Sequence, residues 1–129
     1  MNHPITLLLE LDDQNYSLIR MISSYIMNSS NFTIDEMDEF KFLMHNFLTH
    51  LKSCITFIKP IQITFSSFQN TIEATIIVET TNDHESYSVN QNNTLLQIAK
   101  HLLNDITFDD SQENRLVFTL KKEKRAIHG

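Results

Sequence analysis

The chain has 129 residues, of which 41% are hydrophobic, so it can build one core, and no apolar run is long enough to span a membrane. Sixteen Asp and Glu residues against ten Lys and Arg residues give a formal net charge of −6, which disfavours binding to nucleic acid. The one cysteine, Cys54, excludes an intramolecular disulfide, and the first residues do not resemble a signal peptide, so we expect a cytoplasmic protein.

Glycine is almost absent from the sequence. The one glycine is Gly129, whereas a chain of this length has about nine at the usual frequency of roughly 7%. Loops that cradle phosphates use glycine because their backbone must approach the ligand closely and often adopts positive φ. The Rossmann and Walker A motifs are therefore excluded.

The first third of the chain predicts one strand and two helices. Residues 4–11, "PITLLLEL", form a short apolar run typical of a strand, and Asp12 or Asp13 then offers an N-cap. Residues 14–28 predict a first helix, because apolar residues recur at helical spacing. That apolar stripe consists of Leu18, Ile19, Ile22, Tyr25 and Ile26. Thr33 and Glu36 match a capping box, which predicts a second helix over about 34–53.

The middle of the chain predicts a β-hairpin. After Pro60 the sequence alternates with period two, so that Ile61, Ile63 and Phe65 face one way and the intervening polar residues face the other. A turn at 67–71 and an apolar run at 72–80 supply the partner strand.

The last third predicts a loop, a helix and a second hairpin. The polar stretch 80–93 is expected to be a long loop, and 94–104 a third helix. Residues 106–108 and 115–121 then form two strands. The whole order predicts an α+β two-layer sandwich, with a mixed, mainly antiparallel five-stranded sheet and three helices on one face. We expect a single domain over 1–123 and a flexible tail over 124–129. The basic stretch "KKEKR", residues 121–125, is either a solvated segment or a nucleic-acid contact.

The order of elements resembles the histidine-kinase-like ATPase fold of the GHKL superfamily, and most closely the bacterial anti-sigma-factor serine kinases. The stretch "YSLIRMISSYIMNSSNFTIDEMDEFKFLMHNFLTHL", residues 16–51, is similar to the two-helix region of that family. The stretch "TLLQIAKHLLNDITF", residues 94–108, resembles the helix and strand that follow the family's last glycine box. The resemblance covers nearly the whole chain and implies a regulator of transcription.

The resemblance also implies where a nucleotide would bind and why it no longer does. Asn46 and His50 fall where the family has the glutamate that activates the attacking hydroxyl and the asparagine that holds magnesium, and neutral imidazole is a poor magnesium ligand. Glu79 or Asp83 stands near the family's adenine-reading aspartate, without its glycine, and Thr94 lies where the family's glycine box holds the phosphates. The helix motif, the adenine-reading aspartate with its glycine, and the phosphate-binding glycine box of the family are all altered here. We therefore expect a degenerate kinase without catalytic residues, metal or cofactor.

The first helix is the predicted partner-binding element. Met21 and Tyr25 add apolar area beyond what one face needs, and several residues lie outside the apolar stripe: Arg20, Ser23, Ser24 and Met27. In the resembled family, contacts near this helix build the homodimer and sheet-side surfaces bind the sigma factor. We therefore expect Arg20, Ser24 and Tyr25 to bind a protein partner, a sigma factor, an anti-anti-sigma protein or a second copy, and expect no contact with membrane or nucleic acid.

Several alternatives stay open from the sequence. One is a ligand-binding protein or an enzyme that reuses the vacated pocket, with Asn46, His50, Glu79 and Asp83 facing a new small molecule. Another is a metal site, with His50 and Cys54 as two zinc ligands joined by His84 or His101. A Cys54 nucleophile with His50 as base is disfavoured, because the negative end of the helix dipole raises the thiol pKa. A last alternative is an unrelated α+β module that shares only the topology of the family. A set of apolar residues, for which core packing is the default, could instead line a ligand pocket: Phe40, Phe42, Met44, Phe47 and Phe57.

Overall fold

The computed structural model describes residues 4–54, 60–80, 105–109 and 114–125. In chain order, its elements are β1 (Ile5–Leu9), α1 (Asp13–Ser29), α2 (Ile34–Cys54), β2 (Ile61–Phe68), β3 (Thr71–Glu79), β4 (Asp105–Asp109) and β5 (Arg115–Glu123). The loop predicted at 80–93 lies outside the described residues apart from Thr80, and the helix predicted at 94–104 lies outside them altogether. The third helix and the GHKL-type fold therefore stay predictions.

The five strands form one sheet in the order β1-β2-β3-β5-β4. Every pair of neighbouring strands is antiparallel, so among the described residues the sheet is not mixed. The predicted α+β class and the five-stranded, antiparallel arrangement are confirmed. The longest pairing joins β3 to β5, from Thr71 opposite Glu123 to Glu79 opposite Arg115.

Both described helices begin at the caps that the sequence predicts. Asp12 caps α1, because its carboxylate accepts the backbone N–H of Asn15 at 2.8 Å. At α2, the Glu36 carboxylate accepts the N–H of Thr33 at 2.9 Å, and the Thr33 hydroxyl accepts the N–H of Glu36 at 3.1 Å. This reciprocal pair is a capping box, and it satisfies two backbone donors that the helix itself leaves without partners.

In the described part of the chain, three turns adopt a left-handed backbone without glycine. The φ angles are 63° at Asn31 after α1, 55° at Gln69 between β2 and β3, and 62° at Asn114 before β5. Asparagine tolerates this region better than most residues, whereas in glutamine the Cβ clashes with the backbone. Asparagine therefore takes the place of glycine at two of these turns, and the third turn, at Gln69, is strained.

The core lies between the helices and one face of the sheet. Alternate strand residues point into it, among them Ile63 of β2, Ile76 of β3 and Phe118 of β5, and the ring of Phe118 packs edge-on against Phe47 of α2 with centroids 5.1 Å apart. The period-two assignment of β2 is confirmed, because Ile61, Ile63 and Phe65 are all buried.

The predicted apolar stripe of α1 is partly wrong. Tyr25 is 65% exposed and Leu18 is 37% exposed, whereas Ser23 and Met27, which lie outside the predicted stripe, are fully buried. The reason is that α1 packs against both α2 and β2, which turns its buried face away from the direction that hydrophobicity alone suggests. Burial of Ser23 is tolerated because its hydroxyl donates to the carbonyl of Ile19 at 2.8 Å.

The aromatic residues of α2 divide between core and surface. Phe40, Met44 and Phe47 are buried as core packing predicts, but Phe42 is 60% exposed because it lies on the far side of the helix from the sheet. Phe57 lies outside the described residues. None of the helices in the described part of the chain combines the length and the apolar character needed to cross a bilayer.

Candidate functional site

A groove runs along the surface between α1 and α2, with a volume of about 670 Å³. We call it the α1–α2 groove. Its lining residues are Ser17, Arg20, Met21, Ser24, Tyr25, Asn28, Met37 and Lys41. The three residues predicted to bind a partner, Arg20, Ser24 and Tyr25, all belong to this lining.

The apolar part of the groove comes from side chains that the core does not use. Met21 and Tyr25 lie one helical turn apart on α1, and they are 68% and 65% exposed. Met37 of α2 adds a half-buried apolar side chain from the other wall. Exposed apolar side chains that lie together on a surface are typical of interaction sites, whereas single ones are common and carry no such meaning.

The rim of the groove carries two cations. Arg20 donates through one guanidinium nitrogen to the hydroxyl of Ser17 at 3.0 Å, and Lys41 lies 3.6 Å from a carboxylate oxygen of Asp38. A guanidinium has five N–H donors, so one contact with Ser17 leaves most of its hydrogen-bonding capacity available. On a chain with a net charge of −6, a groove with cations from both walls can attract a negatively charged partner.

The described residues among those predicted for a degenerate ATP site do not form one cluster. Asn46 and His50 are half-buried and lie one turn apart on α2, where the side-chain amide of Asn46 donates to the carbonyl of Phe42 at 2.8 Å. Glu79 follows the buried Val78 at the end of β3, so strand alternation turns its side chain to the opposite face of the sheet from α2. Asp83 and Thr94 lie outside the described residues.

The described residues also contain no metal cluster, since no three His, Cys, Asp or Glu side chains within them approach closely enough to share an ion. His84, His101 and the side chain of Cys54 lie outside this part of the chain. His45 packs its ring against that of Tyr16, with centroids 4.8 Å apart, and so contributes to the contact between α1 and α2.

A partly buried charged cluster joins α2 to the end of β5, and no motif in the sequence predicted it. The backbone N–H of Arg125 donates to the Glu36 carboxylate at 2.8 Å, and the Arg125 guanidinium contacts the carboxylate of Glu39. Lys122 is 4% exposed, and its amine lies 3.9 Å from the same Glu39 carboxylate. Two basic residues of "KKEKR" therefore contact acidic residues of α2.

One signal in the sequence could have indicated this cluster. Leu116, Phe118 and Leu120 alternate along β5, and continuing that alternation puts Lys122 on the core face. A buried lysine needs a carboxylate partner, and the acidic first turns of α2 are the nearest source in the helical layer.

The cluster shifts two pKa values. Burial raises the pKa of Glu36, but hydrogen bonds from Thr33 and Arg125, together with the charge of Lys122, outweigh burial and hold this pKa below its ordinary value of 4.5. Burial lowers the pKa of Lys122 below its ordinary value of 10.5, and the charge of Glu39 opposes that effect only in part. We assign the cluster a structural role, since Glu36 is also part of the α2 capping box.

The fold and the groove define the protein by class, as an α+β sandwich whose helical layer presents an exposed apolar groove with a cationic rim. No model of a known protein family matches the sequence, and no curated protein is significantly similar to it.

Proposed function

We propose that this chain is a non-catalytic regulatory protein of the anti-sigma-factor type, which acts in the cytoplasm by binding a protein partner in the α1–α2 groove. The observation that carries the proposal is the exposure of Met21 and Tyr25 beside two cations, Arg20 and Lys41, contributed by the two walls of the groove. Leaving two large apolar side chains in water has no benefit for folding, whereas a partner that covers them gains their burial.

The chemistry of the groove favours an acidic, amphipathic helix as its occupant. A groove between two packed helices can accept a third helix, whose apolar residues at i, i+3 or i+4 would cover Met21, Tyr25 and Met37. Acidic residues at the edge of that helix would then face Arg20 and Lys41. A segment of a sigma factor or of an anti-anti-sigma protein would be such a partner.

The residues at the former nucleotide site support a role without ATP. The Asn46 side chain donates to a carbonyl of its own helix, and a histidine stands one turn further on where the family binds magnesium. Glu79 lies on the other face of the sheet. With no glycine before Gly129, the chain offers no glycine-built phosphate loop.

The nucleotide part of the proposal is tested by calorimetry with ATP and magnesium. We expect no binding heat, and a dissociation constant in the micromolar range would overturn the proposal that the kinase site is degenerate. Thermal shift with the same ligands gives an independent readout, because a ligand that binds the folded state raises Tm.

The partner part is tested by biolayer interferometry against purified sigma factors and anti-anti-sigma proteins of the source organism. We expect one of them to bind, and expect Tyr25→Ala and Arg20→Glu each to weaken that binding at least about tenfold. Phe68→Ala is the matched control, because Phe68 is also 65% exposed but lies on β2 away from the groove. An equal loss with Phe68→Ala, or no loss with either groove variant, would exclude the groove as the binding site.

A further inference from the structure

The four methionines in the described part of the chain differ sharply in exposure. Met27 and Met44 belong to the core, where they are 0% and 1% exposed. Met21 is 68% exposed on α1, and Met37 is half-buried on α2. Met21 and Met37 both line the α1–α2 groove. Among the described residues, the thioether side chains that solvent can reach therefore lie in the groove.

A partner in the groove would cover Met21 together with Tyr25 and Met37. Tyr25 follows Met21 by one helical turn on the same wall and is 65% exposed, and Met37 stands on the other wall. Methionine is common on surfaces that bind helices, because its unbranched, polarisable side chain adapts to the partner. The same thioether is the group that peroxides convert to a sulfoxide, which is polar.

We propose that oxidation of Met21 to its sulfoxide is a reversible switch that releases the partner from the α1–α2 groove. This inference rests on the proposed function, because it concerns the regulation of the same site. The oxidant is a peroxide, and reduction of the sulfoxide restores binding.

The oxidation transfers one oxygen atom from hydrogen peroxide to the sulfur of Met21. A sulfur lone pair attacks one peroxide oxygen, so that an S–O bond forms as the O–O bond breaks. The proton on the transferred oxygen moves to the departing hydroxide, which leaves as water. Sulfur loses two electrons and the peroxide gains them. A methionine sulfoxide reductase reverses the change, with two thiols oxidised to a disulfide and the oxygen released as water.

The sulfoxide places a polar group where the groove is apolar. In the complex, Met21 would lie under apolar side chains of the partner, so the sulfoxide oxygen would lose its water without gaining a hydrogen bond there. The cations of the groove, Arg20 and Lys41, face the partner's carboxylates, so a hydrogen bond from either to the sulfoxide would also weaken the complex. Neither effect disturbs the core, because Met21 is mostly exposed.

Burial makes the oxidation selective. Peroxide must reach the sulfur, so Met27 and Met44 react only when the surrounding core opens. Peptide mapping by mass spectrometry after increasing doses of hydrogen peroxide measures the rate at each methionine. We expect Met21 to be oxidised at least about tenfold faster than either core methionine. An equal rate at Met21 and Met27 would overturn the proposal.

The effect on the groove is measured with anilinonaphthalene sulfonate, an anionic dye whose apolar rings and negative charge match the apolar lining and the cations. We expect oxidation of Met21 to weaken dye binding at least about fivefold. Met21→Gln introduces a polar side chain of similar length, and we expect it to weaken dye binding without peroxide. Unchanged melting temperatures show that the core is intact. Equal dye affinity before and after oxidation of Met21, or no dye binding to the unmodified chain, would contradict the proposal.

Met21→Leu and Met44→Leu are the matched variants for the peroxide treatment. Met21→Leu has no sulfur at this position, so we expect its dye affinity after peroxide to stay within about twofold of its own untreated value. Met44→Leu removes a buried methionine instead, and we expect it to keep the full response. Dithiothreitol reduces reversible oxidation products of Cys54 but not a sulfoxide, and so separates the two residues. A peroxide effect that persists in Met21→Leu would exclude Met21 as the switch.

Interferometry with the sigma factor or anti-anti-sigma protein that binds the groove then tests release of the partner. We expect oxidised protein to bind at least about tenfold more weakly, and expect treatment with a sulfoxide reductase to restore the affinity. Partner binding that survives full oxidation of Met21 would overturn the switch and leave the proposed function standing. If the dye responds as expected but none of these proteins binds, the proposed function fails and the oxidation-sensitive groove stands.

Discussion

The Glu36 carboxylate accepts the backbone N–H of Arg125 at 2.8 Å and so connects the first turn of α2 to the end of β5, across 89 positions in the chain. The other carboxylate oxygen accepts the N–H of Thr33 in the capping box. A single side chain that is 2% exposed therefore completes a local motif and a long-range contact at the same time.

Removing this side chain should destabilise the protein well beyond the usual cost of losing a cap. Glu36→Ala leaves the N–H groups of Thr33 and Arg125 without their acceptor, and we expect the free energy of unfolding to fall by about 2–3 kcal/mol in urea titrations. Asp35→Ala is the matched control, because it also removes an acidic residue from the first turn of α2 but the side chain is exposed. A loss below about 1 kcal/mol for Glu36→Ala would contradict the assigned role.

Acid should abolish the contribution of the Glu36 carboxylate to the free energy of unfolding. Its folded pKa lies below the ordinary value of 4.5, so the unfolded chain binds the proton more readily and the stabilisation is fully present above that value. As pH falls through the folded pKa, the stabilisation is lost. We expect the stability difference between the unmodified chain and Glu36→Gln to be constant at neutral pH and to shrink in acid, as measured by urea unfolding at a series of pH values.

Lys122→Met should not destabilise the protein at neutral pH. The substitution removes a buried charge while keeping a long side chain, and Arg125 still contacts Glu39, so we expect a stability equal to that of the unmodified chain or about 1 kcal/mol higher. Because burial lowers the folded pKa of Lys122, the unmodified chain gains stability as pH rises towards 10.5, and any advantage of the variant should shrink there. A loss above about 2 kcal/mol at pH 7 would show that the amine is needed.

Gln69→Gly should stabilise the β2–β3 hairpin. Gln69 has φ of 55°, where a Cβ costs roughly 1–2 kcal/mol, and the greater flexibility of glycine in the unfolded chain removes only part of that gain. We expect a net increase of about 0.5–1 kcal/mol in the free energy of unfolding. Asn70→Gly is the control, since its neighbouring turn position does not have positive φ, and it should be neutral or destabilising.

Alanine substitutions on α1 should separate folding from binding. Ile19 is 2% exposed, so Ile19→Ala is expected to cost about 2–4 kcal/mol, whereas Tyr25→Ala should change stability by less than about 0.5 kcal/mol because Tyr25 is 65% exposed. Thermal unfolding monitored by circular dichroism measures both. A large loss for Tyr25→Ala would mean that the α1–α2 groove is part of the folded core.

Features that depend on neighbouring residues were predictable from the sequence. The Asp12 cap, the Thr33 and Glu36 capping box, and the alternation that buries Ile63 all rest on local hydrogen bonds or on strand periodicity. The exposure of Met21 was predictable as well, because Met21 lies outside the apolar stripe of α1, whereas the exposure of Tyr25 contradicts its place in that stripe. The buried face of α1 was not predictable, since Ser23 and Met27 are covered by two elements at once.

By itself, the sequence determined the α+β class, the helix and strand positions in the described parts of the chain, and the exclusion of glycine-built phosphate loops, because composition, capping and periodicity act over a few residues. Only the tertiary structure decided that Lys122 is buried beside Glu39, that Glu79 lies on the opposite face from Asn46, and that Glu73 stands opposite Lys121. Those relationships depend on strand register and on how helices dock on the sheet, which distant segments determine together.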